Sequence, residues 1–273
     1  MTNSGQKGYD FIMNNDVLYA LGLTLLAGLS TGIGSIMALF AKRTNTKFLS
    51  LSLGFSAGVM LYVAMIEIFF KSKACLMSSF GESKGYTAAI LAFFAGIIFI
   101  ALIDFFIPST ENDIGAKAEN PHQTELKRMG FITALTIGIH NFPEGMTTFT
   151  SALKDPQLGI AIALAIAIHN IPEGIATSLP IYFSSGSKKK AFGISFISGM
   201  TEPLGAILGY LILRPFFNDI TFGVLFGMVS GIMVFISLEE LLPMAHEYEK
   251  SKVTIIGVII GMAVMALSLL LLS

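Results

Sequence analysis

Charged residues are scarce in this chain, and that scarcity sets its class. Only 13% of the 273 residues are Asp, Glu, Lys or Arg, whereas a soluble domain carries about 25%. Apolar residues make up 53%, and the mean hydropathy is +0.74. So few charges cannot cover a water-exposed surface of ordinary composition, and we expect an integral membrane protein.

Cysteine and long basic runs are also nearly missing. The single cysteine, Cys75, excludes an intramolecular disulfide and any metal site built from several thiolates. The net charge is −1, and the one charge block, 188–190, is three lysines between two apolar segments. Nothing here indicates nucleic acid as a partner.

Long apolar runs predict eight membrane-spanning helices, because about 20 mostly apolar residues cross a bilayer. The runs cover residues 17–40, 50–70, 86–107, 130–150, 157–182, 191–213, 219–242 and 253–272. They lack the alternation of a β-barrel. We therefore predict an all-α integral membrane protein with a single transmembrane domain over 1–273. The longest polar connection, about 109–128, is acidic and aperiodic, and we expect a flexible loop there.

The distribution of Lys and Arg predicts the direction of the chain in the membrane. If the N-terminus lies outside, most of the 17 Lys and Arg residues fall in loops on the inside. Cytoplasmic loops carry such an excess, so we expect both termini outside and the loop 109–128 in the cytoplasm.

A six-residue phrase occurs twice within these apolar runs, as HNFPEG at 140–145 and HNIPEG at 169–174. A charged side chain at the bilayer centre costs about 2.5–3.5 kcal/mol on insertion scales. A single buried histidine in a membrane helix often only bonds to a neighbour. Two copies of the whole phrase on consecutive spans favour a ligand role instead.

Helix geometry places three potential metal ligands of each phrase on one face. At about 100° per residue, His140, Asn141 and Glu144 fall within one arc, and the second phrase repeats it with His169, Asn170 and Glu173. If the two helices face each other, they form a pocket of nitrogen and oxygen without sulfur. Imidazole suits zinc and iron(II), and carboxylate and amide oxygens suit harder divalent ions.

Two further acids lie on other spans, Glu67 in the second and Glu202 in the sixth. No lysine or arginine occupies the middle of spans 2, 4, 5 or 6, so these carboxylates need protons or metal cations as partners. Prolines 143, 172 and 203 each remove a helical hydrogen bond beside a polar residue, which frees a backbone carbonyl.

Other polar residues have a simpler interpretation. Glu239, Glu240, His246 and Glu247 approach the inner end of span 7, where a solvated helix end explains them. Most methionines are explained by packing or lipid contact, and Met60 is the one that could reach a metal site.

The combination of HNFPEG, HNIPEG and SGMTEPLGA at 198–206 on successive spans resembles the ZIP (Zrt/Irt-like) metal-ion transporters, and is most similar to their ZupT-like bacterial branch. The resemblance covers essentially the whole chain. It implies a 3+2+3 bundle of eight helices, in which spans 1–3 and 6–8 are inverted repeats around spans 4 and 5. One departure is the inner loop, where many relatives have a histidine-rich stretch and this chain has only His122.

The resemblance also implies a two-metal site at mid-membrane. One subsite would use His140, Glu144 and Glu173, and the other Asn141, Asn170, Glu173 and Glu202, with Glu173 bridging. His169 and Glu67 would be added ligands, with a weaker case for Met60. The inner-end ligands of the family would correspond loosely to His246 and Glu247.

The expected function is uptake of divalent transition metals into the cytoplasm across the cytoplasmic (inner) membrane of a bacterium. Zinc is expected first. Iron(II), manganese, cobalt and cadmium are expected as well, because nitrogen and oxygen ligands select loosely among these ions. The metals are substrates, and no prosthetic group is expected. An intramembrane zinc-dependent hydrolase is the alternative, although the motif is not HExxH. A metal-sensing receptor is a third option, but the sequence offers no candidate signalling domain for it. The expected partners are the ions and the lipid bilayer, and a second copy of the chain in a homodimer is a further possibility.

Overall fold

The computed structural model describes residues 15–40, 45–106, 121–154, 156–213, 218–248 and 252–272. Within them the chain forms eight long helices and no strand, which confirms the predicted all-helical membrane class. The helices are α1 Asn15–Ala38, α2 Thr46–Phe80, α3 Glu82–Phe106, α4 Pro121–Lys154, α5 Pro156–Ser185, α6 over 188–213, α7 over 219–248 and α8 Val253–Leu272.

Seven of the eight helices found in the described residues are long and apolar enough to cross a membrane. The helix outside this set is α4, which is 34 residues long but contains the polar phrase HNFPEG and several threonines. Its lower hydropathy therefore comes from these polar residues. Most of α4 is buried among other helices, so it needs little apolar surface.

Helices α1, α4, α5 and α6 pack against one another as a four-helix group, and α2, α3, α7 and α8 form a second group beside it. The packing of the helices is symmetric: each main helix pair has a counterpart when α1, α2, α3 and α4 are matched with α6, α7, α8 and α5, respectively. The pair α1–α5 then corresponds to α6–α4, and α2–α8 corresponds to α7–α3. Helices five apart run in opposite directions through a membrane, so this correspondence is that of the predicted inverted repeats.

Two helix boundaries differ from those predicted by more than six residues. The second helix continues ten residues beyond its apolar run, because Ser72 and Leu76 remain buried against α7 while the lysines point outward. It ends at Gly81, whose φ of 80° suits glycine. The fourth helix begins at Pro121, a residue favoured in the first helical turn. Residues 121–128 are therefore helical and not part of a flexible loop, whereas 109–120 lie outside the described residues.

Three short π-helical segments interrupt the described helices: Val63–Ile68 in α2, Gly209–Leu213 in α6 and Ser237–Leu241 in α7. Such segments are rare and are often found at functional sites. The segments in α2 and α7 occupy corresponding helices of the two repeats, and both carry glutamates. The Ser230 hydroxyl of α7 donates to the Ala64 carbonyl of α2 at 2.8 Å, so a side chain provides a hydrogen bond to a backbone carbonyl of the π-helical segment.

Candidate metal centre

The two copies of the phrase face each other on α4 and α5, and their side chains pair crosswise. His140 Nε2 lies 3.0 Å from Glu173 Oε1, and His169 Nε2 lies 3.0 Å from Glu144 Oε2. The two helices run antiparallel, so the first polar residue of one phrase meets the last of the other. Each imidazole therefore contacts a carboxylate from the opposite helix at hydrogen-bond distance.

These four side chains form one connected cluster. His140 Nε2 is also 3.6 Å from Glu144 Oε2 on its own helix, and the two imidazole rings have centroids 6.3 Å apart. One ligand atom each from His140, His169 and Glu173 lies within 4.8 Å of the others. All four residues are buried, with Glu144 the most exposed at 6%. The spacing and the donor types are those of a site for a divalent cation.

Asn141, Asn170 and Glu202 extend the cluster toward α1 and α6. The Asn170 amide donates to Glu202 Oε1 and, at 3.0 Å, to the carbonyl of Ala27 in α1. The Asn141 amide donates to the carbonyl of Ser198 in α6 at 3.3 Å. Because both amides use their nitrogen on neighbouring groups, their oxygens are turned the other way and are available to a cation.

Close backbone contact holds α6 against α4 at this level. A Cβ atom added to Gly205 would collide with the carbonyl of Phe142, and one added to Gly145 would collide with the carbonyl of Glu202. Only glycine allows the two backbones to approach this closely. The second glycine belongs to the phrase HNFPEG, so its final letter positions Glu202 beside the cluster.

Six buried ligand atoms of the cluster have no hydrogen-bond partner: His140 Nδ1, His169 Nδ1, Asn141 Oδ1, Asn170 Oδ1, Glu173 Oε2 and Glu202 Oε2. A buried polar atom without a partner is unfavourable by about 1–3 kcal/mol. Such a concentration of unpaired nitrogen and oxygen atoms at one place fits coordination of a cation, which satisfies several of them together.

The prolines do not break the helices that carry the phrases. Helices α4 and α5 continue through Pro143 and Pro172, although each proline lacks an N–H donor. The carbonyl of Pro143 accepts from the Thr147 hydroxyl at 3.0 Å, and that of Pro172 accepts from Ser56 in α2 at 2.8 Å. The site therefore keeps a continuous helical scaffold, and Ser56 ties α5 to the second group of helices.

Two predicted ligands on α2 have other neighbours. Met60 is 1% exposed and belongs to the main apolar core. Glu67 Oε1 lies 2.8 Å from Lys71 Nζ, one helical turn on, while Glu67 Oε2 is buried and unpaired. The expectation that Glu67 has no basic partner is wrong, because α2 extends beyond its apolar run and includes the lysine. A metal-binding role for either residue stays a prediction.

Near the C-terminal end of α7, His246 is exposed and the side chain of Glu247 lies outside the described residues. Glu239 is exposed, as expected for a solvated helix end, but Glu240 is only 7% exposed. It lies 3.9 Å from the guanidinium of Arg128 at the start of α4. The interpretation as a solvated terminus is therefore wrong for Glu240.

Arg128 also contacts Asp104 near the end of α3, with Nη2 and Oδ1 2.5 Å apart. This ion-pair cluster of Asp104, Arg128 and Glu240 joins α3, α4 and α7, and sequence reasoning missed it. Arg128 had been assigned to the loop. The available signal was Asp104, the one acid within the apolar run 86–107.

Comparison with known proteins shows close relatives over nearly the whole chain. The family described as ZIP zinc transporter matches residues 108–269. The zinc transporter ZupT of Lysinibacillus sphaericus is 55% identical over 268 residues, covering 95% of this chain and 100% of the relative. The zinc transporter ZupT of Oceanobacillus iheyensis is 56% identical with the same coverage. That of Streptococcus mutans is 56% identical and covers 95% of this chain and 99% of the relative.

Proposed function

Because the chain belongs to the ZIP zinc transporter family, we propose that it takes up divalent transition-metal ions, zinc first, through the His140–Glu173 cluster. The relatives are named as transporters, which sets the hydrolase alternative aside. The ion crosses the cytoplasmic membrane into the cytoplasm, and the whole chain acts as one transmembrane transporter domain. Iron(II), manganese, cobalt and cadmium are competing substrates, since no thiolate is present to select strongly for zinc.

The concentration of unpaired ligand atoms between α4, α5 and α6 is the observation that carries this proposal. A structural role would leave these atoms bonded to neighbours, because the bilayer core offers no water to satisfy them. A transported cation satisfies them only while it is bound. The site can then be strong enough to admit the ion without retaining it permanently.

Two ions share the cluster in this proposal, with Glu173 bridging them. The first subsite takes His140, Glu144 and Glu173, and the 3.0 Å contact of His169 with Glu144 supports His169 as an added ligand. The second takes Asn141, Asn170 and Glu202 through their unpaired oxygens, together with Glu173. Glu173 suits the bridge because one of its oxygens faces His140 and the other is unpaired.

The order in which an entering ion meets the two pairs follows from the proposed orientation with both termini outside. The excess of Lys and Arg in the loops after α1, α3, α5 and α7 supports that orientation. The cation then reaches the Glu144–His169 pair from the outside before the His140–Glu173 pair, since α4 runs outward and α5 runs inward. It leaves toward the connection between α3 and α4.

Zinc uptake by the purified full chain in proteoliposomes tests the proposal. We expect zinc to equilibrate faster than in protein-free vesicles, and Glu173→Gln to abolish uptake while inserting normally. Glu239→Gln is the matched control, because Glu239 is an exposed glutamate on another helix. Uptake no faster than in empty vesicles would refute the transport function, and normal uptake by Glu173→Gln would refute the bridging role.

A further inference from the structure

Helices α4 and α5 pair in a regular antiparallel register that continues beyond the metal cluster. Glu144 faces His169, and four residues farther along each helix His140 faces Glu173. Nearer the loop between α3 and α4, Gly130 lies against Ile181 in nearly the same register. The next level, one helical turn or about 6 Å from His140–Glu173, therefore pairs Thr136 with Thr177.

The hydroxyls of Thr136 and Thr177 are buried and have no hydrogen-bond partner. The side chains are 1% and 0% exposed, respectively. A hydroxyl in a membrane helix ordinarily bonds to the carbonyl one turn back. Thr150 of α4 and Ser178 of α5 do so, at 2.8 and 2.6 Å. Thr136 and Thr177 instead leave an oxygen available, as Thr133 and Thr148 of α4 also do.

A proline follows Thr177 at the same spacing as in the two phrases. Pro180 stands three residues after Thr177, as in the segments 140–143 and 169–172, where a histidine ligand precedes a proline by three. Pro180 lies inside α5 and has no N–H, so the carbonyl of Ala176 lacks its helical donor. The level of Thr177 therefore has a carbonyl oxygen without a helical N–H beside a free hydroxyl, which repeats the local chemistry of the metal cluster.

A pair of apolar residues lies one further turn beyond the threonines. The same register pairs Ile132 with Ile181, which are 1% and 3% exposed. Thr136 and Thr177 are thus the first polar residues of α4 and α5 on this side of the cluster, and Thr133, whose buried hydroxyl is also unpaired, follows on α4. A cation that leaves the imidazoles and carboxylates in this direction therefore meets these hydroxyls as the first polar side chains of α4 and α5.

We propose that Thr136 and Thr177 form a third, transient site for a partly hydrated divalent cation on its way out of the His140–Glu173 cluster. This threonine site rests on the proposed transport function and deepens it. Hydroxyl and carbonyl oxygens with waters suit divalent cations but bind them without a full negative charge. The cation is therefore held briefly, and the carboxylates upstream keep the higher affinity, as a conducting path requires.

The test uses the purified full chain, with zinc as the probe. Thr136→Val and Thr177→Val keep the side-chain shape and remove the oxygen. We expect each to lower the maximal zinc uptake rate in proteoliposomes roughly tenfold, the effect of losing one polar contact to a charge. Equilibrium zinc binding in detergent should stay within about twofold of wild type, since the cluster ligands are intact. Serine at either position should restore the rate.

Thermal unfolding separates this role from a structural one. Replacing an unpaired buried hydroxyl by a methyl group should leave the unfolding temperature unchanged or raise it, while the uptake rate falls. Thr150→Val is the matched control, because its hydroxyl bonds to the Met146 carbonyl, and its uptake should match wild type.

Wild-type uptake by both valine variants would overturn the threonine site while leaving the proposed function intact. A loss of rate that accompanies an equal loss of thermal stability, or that Thr150→Val shares, would also overturn it. If the wild-type protein moves no zinc, the proposed function fails and the threonine site with it.

Discussion

His140 of the first phrase lies closer to Glu173 of the second than to Glu144 of its own, at 3.0 Å against 3.6 Å. The two phrases are therefore not two separate sites. Their repetition supplies the two sides of one cluster, in which each histidine is paired with the glutamate of the facing helix. A substitution in either phrase should affect the same cluster.

The crosswise pairing strengthens the case for His169 as a metal ligand. His169→Gln removes the nitrogen that lies 3.0 Å from Glu144 Oε2 while keeping a side chain of similar reach. We expect zinc affinity to fall roughly tenfold, as for loss of one contact to a charged group. Isothermal titration in detergent measures the change. Unaltered affinity would remove His169 from the ligand set.

Gly205 sets the distance between α6 and α4, and Gly205→Ala should separate them. The added methyl group collides with the Phe142 carbonyl, so we expect a loss of about 1–3 kcal/mol in stability together with weaker zinc binding. Gly193→Ala in the same helix is the control, because no atom lies within 4 Å of its added Cβ. Similar unfolding temperatures for the two variants would show that the close approach is unimportant.

Lys71 should compete with metal for Glu67. Lys71→Gln removes an ion pair whose lysine is 40% exposed, so stability should change by less than about 1 kcal/mol. If Glu67 binds the passing ion, the zinc concentration that gives half-maximal uptake should fall. Glu67→Gln should raise it. Equal values for all three proteins would exclude Glu67 from the path.

Arg128 should stabilise the contact between α4 and the second group of helices. Arg128→Gln removes the cation that contacts both Asp104 and the buried Glu240. We expect a loss of about 2 kcal/mol in stability, seen as a lower unfolding temperature in detergent. Arg128→Lys keeps the charge and should lose less. An unchanged unfolding temperature for Arg128→Gln would contradict a stabilising role.

Zinc binding should weaken as the pH falls from neutral to about 5, because imidazole and carboxylate ligands must be unprotonated to bind metal. The sign follows from competition: protons and zinc occupy the same atoms, so zinc binding releases protons and acid displaces zinc. Titrations in buffers of different ionisation enthalpy measure the released protons. Binding without proton release at low pH would contradict an imidazole–carboxylate site.

The membrane class and the candidate ligands of the two phrases could be predicted from the sequence, because both depend on local information. Apolar runs identify α1 and α8 almost to the residue, and ligand types are read directly from His140 and Glu173. Two features needed the folded chain. Helix α2 continues past its lysines because one of its faces stays buried. A hydropathy average over all faces of the helix does not detect such a face.

Contacts between distant helices were the second kind of feature that sequence could not provide. The crosswise register of α4 and α5, and the meeting of Asp104, Arg128 and Glu240, depend on how three or four helices pack. A charge near the end of an apolar run carries no record of its partner. The Thr136–Thr177 level likewise becomes visible only when the register is known.

The proposed transport function requires a divalent cation to bind between α4 and α5 at the level of His140 and Glu173. Anomalous diffraction from crystals grown with zinc tests it most directly. We expect a zinc peak within coordination distance of His140 Nε2 and Glu173, about 2 Å, which disappears in Glu173→Gln crystals. Zinc density confined to other places, such as the exposed His246 at the end of α7, would contradict it.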